Sequence, residues 1–512
     1  MVTGNGIIAL KRESDVKVEN LMDPIPGTLA ICGVTFILIS FISQFYFHAT
    51  MEKQQSILFI TNSELGQASV ILAVAHEFLI RPEYDVHIAS FTALKNSISE
   101  LNEDASRASS NSVSKATFHV IDGKSMKEAT GRATEFLEMH PHGINGALYA
   151  YDNIIKDICP DIVAVDPLFS QGVDACNNLG QKCVILSPNT LKELVLQDQP
   201  GATPLTKFPA MASGFPYPLP WYYIPANIYL IFRFLKARRI NPRLVTLAKY
   251  RETHGLASKI PCMFEGFGDA PILLPSTTEI DYDFVVPKHA TSCGPIIRPF
   301  EPIAQTHPEM DRWLKQRPTV LVNLGSHILF DAEFAAQFAS GLRVLLDSRA
   351  DIQILWKLKT QGQTKKQLYG DGGALEVISE AIKDGQVRIE DWLPAQPIAI
   401  LESGNVICMV HHGGANSYHE AISAGIPQIV LPVWIDTYDF ALRVEHLGIG
   451  AWGNRTAAPR VEASELGKAL VRVVNTDESA GMAANARVLA EPFRKREGRV
   501  VAFKRIVEAL RS

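Results

Sequence analysis

A chain of 512 residues exceeds what one ordinary hydrophobic core organises, so its length predicts two domains of roughly 200 residues each, plus extras. With 47% apolar and 20% charged residues, and 34 Gly and 30 Pro spread along the chain, the composition excludes a disordered or fibrous protein. A formal net charge of −5 excludes a broadly basic face, so no nucleic-acid partner is expected.

Residues 1–28 read as a leader, and residues 29–47, LAICGVTFILISFISQFYF, carry no charge and are long enough to cross the ~30 Å hydrocarbon core. They predict a single-pass transmembrane anchor, placing the protein at a membrane such as the endoplasmic reticulum. The rival readings are a cleavable signal peptide and a buried helix. The long leader argues against the first, and the position outside the later βα pattern against the second. Lys11, Arg12 and Lys17 precede the segment and only Lys53 follows closely, which puts the amino end in the cytosol and the body in the lumen. The odd cysteine count and a single sequon, Asn454-Arg455-Thr456, argue the other way, and the side of the membrane stays open. The seven cysteines, Cys32, Cys159, Cys176, Cys183, Cys262, Cys293 and Cys408, are too scattered for a metal-ligand or disulfide pattern and read as mostly reduced and buried.

From Ser56 the run ILFITN has a buried-strand pattern, a turn follows at ELGQ, and ASVILAVAHEFL is helical. YDVHIASF reads as a strand, residues 144–157 as a helix, DIVAVDPLF as a strand, GVDACNNLG as a helix and CVILSP as a strand. Strands alternating with helices of this size predict a parallel sheet with crossover helices over residues 56–293. The Pro-rich stretch 294–308 reads as a linker. A second series then occupies 309–484: TVLVNLGS, a helix over 331–347, DIQILWKLK, QVRIEDWLP, NVICMVHHGG and PQIVLPV. The result is an α/β fold of two doubly wound, Rossmann-like halves facing a cleft, where open α/β sheets bind ligands. An amphipathic segment at 485–512 is expected to pack back on the amino-terminal half. Residues 219–239, LPWYYIPANIYLIFRFLKARR, join aromatic bulk to a basic end, Arg233, Lys236, Arg238 and Arg239. They read equally as a membrane-surface or acceptor-walling helix and as an ordinary covering helix.

The densest chemistry lies in residues 410–450, VHHGGANSYHEAISAGIPQIVLPVWIDTYDFALRVEHLGIG. A strand ends at His412 and turns through Gly413 and Gly414 into a helix whose first N–H groups can face a diphosphate. Asn416 and Ser417 add short polar groups, Glu420 is spaced to accept from ribose hydroxyls, and Asp436 follows the next strand, where a carboxylate can bind sugar hydroxyls. Singly, a His-Gly-Gly run is more often a tight turn than a site. The ordered set, HGGANSYHE followed by Gly425-Ile426-Pro427 and Asp436-Thr437, resembles the carboxyl-terminal signature of family 1 UDP-glycosyltransferases, of the fungal type and of the GT-B fold.

That resemblance covers most of residues 56–510. It implies a UDP-sugar co-substrate with no other cofactor and no metal, bound by Gly325, Ser326, Trp392 (the uracil-stacking position), Gln396, His412, Gly414, Asn416, Ser417, Glu420, Asp436 and Thr437; Thr437 stands where the plant motif has glutamine, and Asp439, at a different spacing, is a weaker candidate for the missing polar contact. It also implies inverting transfer of a hexose, glucose foremost, to a small lipophilic acceptor: a secondary metabolite, sterol, phenol or hydroxy acid. The family's general base is a histidine in the first turn, held by an aspartate; here Gln67 occupies that place and Asp166 matches the aspartate. A neutral amide accepts no proton, which leaves three routes. Asp166 acts directly or through water, His140 or His142 enters from a loop, or the acceptor is an already ionised carboxylate. The competing function is a UDP-sugar-binding or membrane-scaffold protein that has lost catalysis; sugar epimerisation is a third.

Overall fold

The unbroken apolar run of the first strand, with Ile57, Leu58, Phe59 and Ile60 fully buried, is what a parallel strand covered on both faces requires. The computed structural model describes residues 54–109, 114–122, 152–257, 259–362 and 365–512. In the first half, β1 (Gln55–Ile60), β2 (Tyr84–Ser90), β3 (Thr117–Val120), β4 (Ile162–Val165), β5 (Cys183–Leu186), β6 (Ile272–Leu274) and β7 (Ala290–Ser292) form one sheet in the order β3-β2-β1-β4-β5-β6-β7. In the second half, β8 (Thr319–Asn323), β9 (Gln353–Lys357), β10 (Val387–Glu390), β11 (Val406–His411), β12 (Gln428–Val430) and β13 (Gly450–Trp452) run in the order β10-β9-β8-β11-β12-β13. Neighbouring strands in both sheets pair in parallel. Strand order reverses beside β1 in one sheet and beside β8 in the other. Open parallel sheets bind ligands at such points.

The helices that matter below are α1 (Leu65–Leu79), α2 (Ser170–Leu179), α3 (Leu191–Val195), α4 (Ile224–Ile240), α5 (Ala415–Ala424), α6 (Thr437–His446), α7 (Asp477–Lys495) and α8 (Gly498–Arg511). α1 leaves β1 and α5 leaves β11, so each starts at the carboxyl end of a central strand. Phe59, with α1 and α8, builds the core on one face of the first sheet, and Leu58 and Ile60, with α2, build the other. Gln55 to Ser512 form one compact unit.

The sequence reading missed β3, β6, β7 and β13, which are three or four residues long and offer too few positions to show a period. The terminal segment also differs from expectation. α7 runs unbroken through residue 485 and packs on α5, and after a break at 496–497 α8 packs on α1 in the amino-terminal half. There Phe503 packs edge-on against Phe78 at 4.6 Å, and Arg499 Nε donates to Glu77 at 2.9 Å.

α4 is a surface helix. Its one buried residue is Asn227, whose amide donates to the carbonyls of Leu205 and Phe208 and whose oxygen accepts from Ala210 N–H. The predicted anchor at 29–47, His140, His142 and most of 144–157 lie outside the described residues. Among the described residues no helix is long and apolar enough to cross a membrane.

The halves meet along a buried polar seam. Arg443 of α6 donates to Asp281 at 2.6 Å and to Thr190 at 2.9 Å, and Lys192 of α3 donates to Asp439 of α6 at 2.6 Å. Asp439, a weak sequence candidate for a sugar contact, is thus committed to an interdomain ion pair.

Candidate active site

His411 shapes the turn between β11 and α5. Its Nδ1 accepts from Gly413 N–H at 3.1 Å, so Nε2 carries the proton that bonds Gln428 Oε1 at 2.8 Å. Burial pushes its pKa down to about 4 and keeps the ring neutral. Gly413 sits at φ +87°, where an added Cβ would lie 2.8 Å from the Thr437 carbonyl oxygen; only glycine fits. The chain enters α5 with Gly414 as N-cap, and the N–H groups of Ala415, Asn416 and Ser417 have no intrahelical acceptor. They form the positive end of the helix dipole.

His412 lies wedged between two glycines. A Cβ on Gly325 would come within 2.6 Å of its ring and one on Gly414 within 2.7 Å, while Trp434 stands 5.2 Å away between ring centroids. Burial pushes its pKa down to about 3, so the ring is a neutral hydrogen-bonding group, and its Nδ1 makes no hydrogen bond among the described residues. Gly325, at φ +83°, belongs to the turn after β8, where its N–H donates to Asn323 Oδ1 at 3.1 Å. Ser326 follows, its carbonyl accepting from Lys359 Nζ at 3.0 Å.

The indole of Trp392 is 53% exposed, a large flat surface at a cavity mouth, and Lys357 Nζ stands 3.7 Å from its centroid. Burial, then Lys359, pushes the Lys357 pKa down to about 8. Glu420 makes no hydrogen bond among the described residues; burial pushes its carboxyl up to about 8 against the pull of Arg298. Gln396 caps the short helix Pro397–Leu401 through its backbone carbonyl, which leaves its side chain at the cavity.

These groups line one cavity of about 750 Å³, within the ~300–1,000 Å³ of small-molecule sites. Gly325, Ser326, Trp392, Gln396, His412, Gly414, Asn416, Ser417 and Glu420 all contribute to it. The opposite wall comes from the first half: Leu65, Gly66, Ser69 and Val70 of α1, and Ile296 to Glu301. Asn416 spans the two walls, its amide donating to the carbonyls of Leu65 and Gly66 at 3.1 Å each.

Four predicted residues stand elsewhere. Thr437 accepts at its hydroxyl from Val433 and Trp434 N–H at 3.0 Å each and donates to the Trp434 carbonyl, which leaves it no capacity for a sugar. Asp436 stands at the head of α6, its carboxyl pushed up to about 7 by burial and then by Glu193, and is not among the cavity-lining residues. Asp166 is fully buried and accepts from Leu168 N–H at 2.9 Å and from Thr61 and Asn62 at 3.3 Å each; burial pushes it up to about 7. Enclosed by three donors, it fixes the loop after β1 and is not placed to take a substrate proton, which corrects the role expected of it. Gln67 lies in the first turn of α1 but is not among the lining residues.

The sequence reading passed over Lys357, Arg298 and His327, all at the cavity, and Glu64 beside it. His327 directly follows the recognised Asn323-Leu324-Gly325-Ser326 turn, a signal within reach. Its Nε2 lies 3.2 Å from Glu64 Oε2, a contact between the two halves.

Residues 376–497 match the model of the "Erythromycin biosynthesis protein CIII-like, C-terminal domain" family, a range that contains Trp392, His412 and Glu420. The chain is 37% identical over 496 residues to glycosyltransferase sdnJ of Sordaria araneosa, covering 88% of this chain and 96% of that protein. It is 30% identical over 200 residues to a UDP-glycosyltransferase of Talaromyces amestolkiae, covering 38% of this chain and 36% of that one. Among solved structures, a UDP-glucosyltransferase from Polygonum tinctorium superposes with a TM-score of 0.64 at 15% identity, covering 90% of this chain and all of that one; at such identity the likeness is one of fold. Two parallel sheets, a cavity between them lined from both, and near full-length similarity to a fungal relative together place this chain in the GT-B glycosyltransferase family.

Proposed function

We propose that this glycosyltransferase takes a UDP-sugar, with glucose as the hexose, and transfers it with inversion to a small lipophilic acceptor. One observation carries the reading: the amino end of α5, the neutral His412 and Glu420, which makes no hydrogen bond among the described residues, converge in one cavity whose lining includes the exposed Trp392. The uracil stacks on Trp392 beside Gln396, and Glu420 meets the ribose. Its carboxyl is pushed up to about 8, and in its protonated form it can donate as well as accept. The diphosphate faces the free N–H groups of residues 415–417, where charge growing on the leaving phosphate meets a fixed positive dipole. His412 adds a hydrogen bond, and Lys357 a nearby cation. The acceptor lies against Leu65, Val70, Ile296 and Phe300, apolar groups on the opposite wall. Attack from that wall reaches the anomeric carbon on the face away from the diphosphate, which inverts it.

Incubating the purified chain with UDP-glucose and a panel of phenols, sterols and hydroxy acids tests this, with products identified by mass spectrometry. Release of UDP with formation of a glycoside is expected. UDP binding without turnover on any acceptor would instead support the non-catalytic reading that Gln67 suggests, and an isomerised UDP-sugar would support epimerisation.

We also propose that the protein works at a membrane, through residues 29–47 and through α4. Trp221 is 80% exposed, and Tyr222, Tyr229, Phe232, Leu235 and Ile240 are exposed with it, beside Arg233, Lys236 and Arg239. Large apolar side chains next to cations suit an anionic lipid surface. A chain lacking residues 1–54 should float with anionic vesicles, and Phe232→Ser with Leu235→Ser should abolish this; equal flotation of both would refute the role of α4.

A further inference from the structure

We propose that His327, held by Glu64 across the cleft, is the group that takes the acceptor's proton; this rests on the glycosyl-transfer reading above. The loop after β1, where a base facing the acceptor is needed, contains no histidine between Phe59 and Ala75. Gln67 there is a neutral amide, and Asp166 is enclosed by three donors. His412 is held neutral by burial so strongly that it is a poor proton acceptor. The second half supplies what the loop lacks. His327, two residues past Gly325 in the turn after β8, lines the cavity and places Nε2 3.2 Å from Glu64 Oε2.

The carboxylate is itself positioned. Glu64 is 9% exposed, at the head of α1, and its N–H donates to Asn62 Oδ1 at 2.7 Å. The Asn62 amide in turn donates to Asp166 Oδ2 at 3.3 Å. Asp166 therefore orders the loop that presents Glu64, and Glu64 orders a histidine from the other half. A carboxylate 3.2 Å from one ring nitrogen favours the tautomer with the proton on that nitrogen, which leaves the lone pair on the other. With the Nε2 proton toward Glu64, that nitrogen is Nδ1, which makes no hydrogen bond among the described residues.

In the transfer step, Nδ1 takes the hydroxyl proton of the acceptor as its oxygen forms the bond to the anomeric carbon. The bond from that carbon to the β-phosphate oxygen breaks, and UDP leaves with the electron pair. Glu64 stabilises the imidazolium, which passes its proton to solvent. Among the described residues His412 feels the charge of His327 and of Lys357, and Lys359 Nζ bonds the carbonyl of the preceding residue, Ser326. Glu64 and His327 come from different halves, so the pair depends on the placement of the halves in this structure. Asn416 pins the same turn of α1 in that placement.

The test uses the full-length protein with two acceptors of one scaffold, one bearing a phenol or alcohol and one a carboxylic acid already ionised at pH 7. For His327→Ala and His327→Gln, kcat on the hydroxyl acceptor should fall by about 10²–10⁴-fold. UDP affinity by calorimetry should stay within about threefold, and kcat on the carboxylic acid should fall by less than about tenfold. Glu64→Gln should lose less than His327→Ala with the same acceptor dependence, and Glu64→Asp should recover part of it. A His327→Ala protein that keeps its hydroxyl-acceptor kcat, or loses both acceptors equally, overturns the proposal while leaving glycosyl transfer standing. A wild-type protein that transfers to neither acceptor nor to any of the wider panel overturns the transfer reading, and the base with it.

Discussion

Replacing Gly325 by alanine should damage the donor site far more than the fold, and the size of the effect follows from geometry. The residue sits at φ +83°, where an L side chain costs about 1–2 kcal/mol. The new methyl would lie 2.6 Å from His412 Cε1 and 3.1 Å from Nδ1. The ring cannot swing aside, since Gly414 crowds it on the other side and Trp434 stands behind it. Overpacking of this kind costs about 1–3 kcal/mol. With no room for the ring to turn, the overpacking share of about 1–3 kcal/mol is relieved only by displacing the turn that carries His412, and then appears as lost UDP affinity of about 5-fold or more at 1.4 kcal/mol per decade, while the backbone share appears in thermal unfolding. Isothermal calorimetry with UDP, alongside thermal unfolding, measures both shares. Gly66→Ala is the control: it lies on the opposite wall, has no positive φ, and a Cβ there meets nothing within 4 Å. If Gly325→Ala binds UDP and unfolds as the wild type does, the wedged placement of His412 is wrong.

The ligand-free protein should lose stability between about pH 6.5 and 8. Asp166 and Asp436 are pushed up to about 7 and Glu420 to about 8, so the stability they allow below the ordinary carboxylate range is lost as pH rises through those values. His411 and His419 at about 4 and His412 at about 3 act oppositely, losing stability as pH falls below about 6.5, and offset the carboxyls only in that lower window. Urea titrations at pH 6.5 and 8 should differ, with Glu420→Gln flattening the slope by one carboxyl's share of about 1.4 kcal/mol per pH unit; a flat or rising profile contradicts the assignment. Arg443→Ala should cost about 3–5 kcal/mol, because it leaves Asp281 buried without its cation and removes a bond between the halves. A change below about 0.5 kcal/mol in the unfolding free energy from urea titration would show that the seam contributes little.

How much could be read along the chain depended on how local each feature was. The turn from His411 to Ser417 forms from adjacent residues, so its glycines, its helix start and its placement at a strand end were legible in order. The buried runs Ile57–Ile60 and Val320–Val322 announced central strands for the same reason. Thr437 and Asp439 misled because a motif gives spacing and not direction. One hydroxyl turns into its own loop, and one carboxylate pairs with Lys192, 247 residues away.

By itself the sequence determined the two parallel-sheet halves, the turn that can hold a diphosphate, and the absence of a histidine where a base is expected. These are properties of contiguous segments, set by local hydrogen bonding, glycine conformations and apolar periodicity. Only the tertiary structure decided what stands opposite that gap. Glu64 and His327 are 263 positions apart by their numbers and come together because each follows the carboxyl end of a central strand in a different sheet. Contacts of that kind depend on how two cores dock, and no local pattern encodes them.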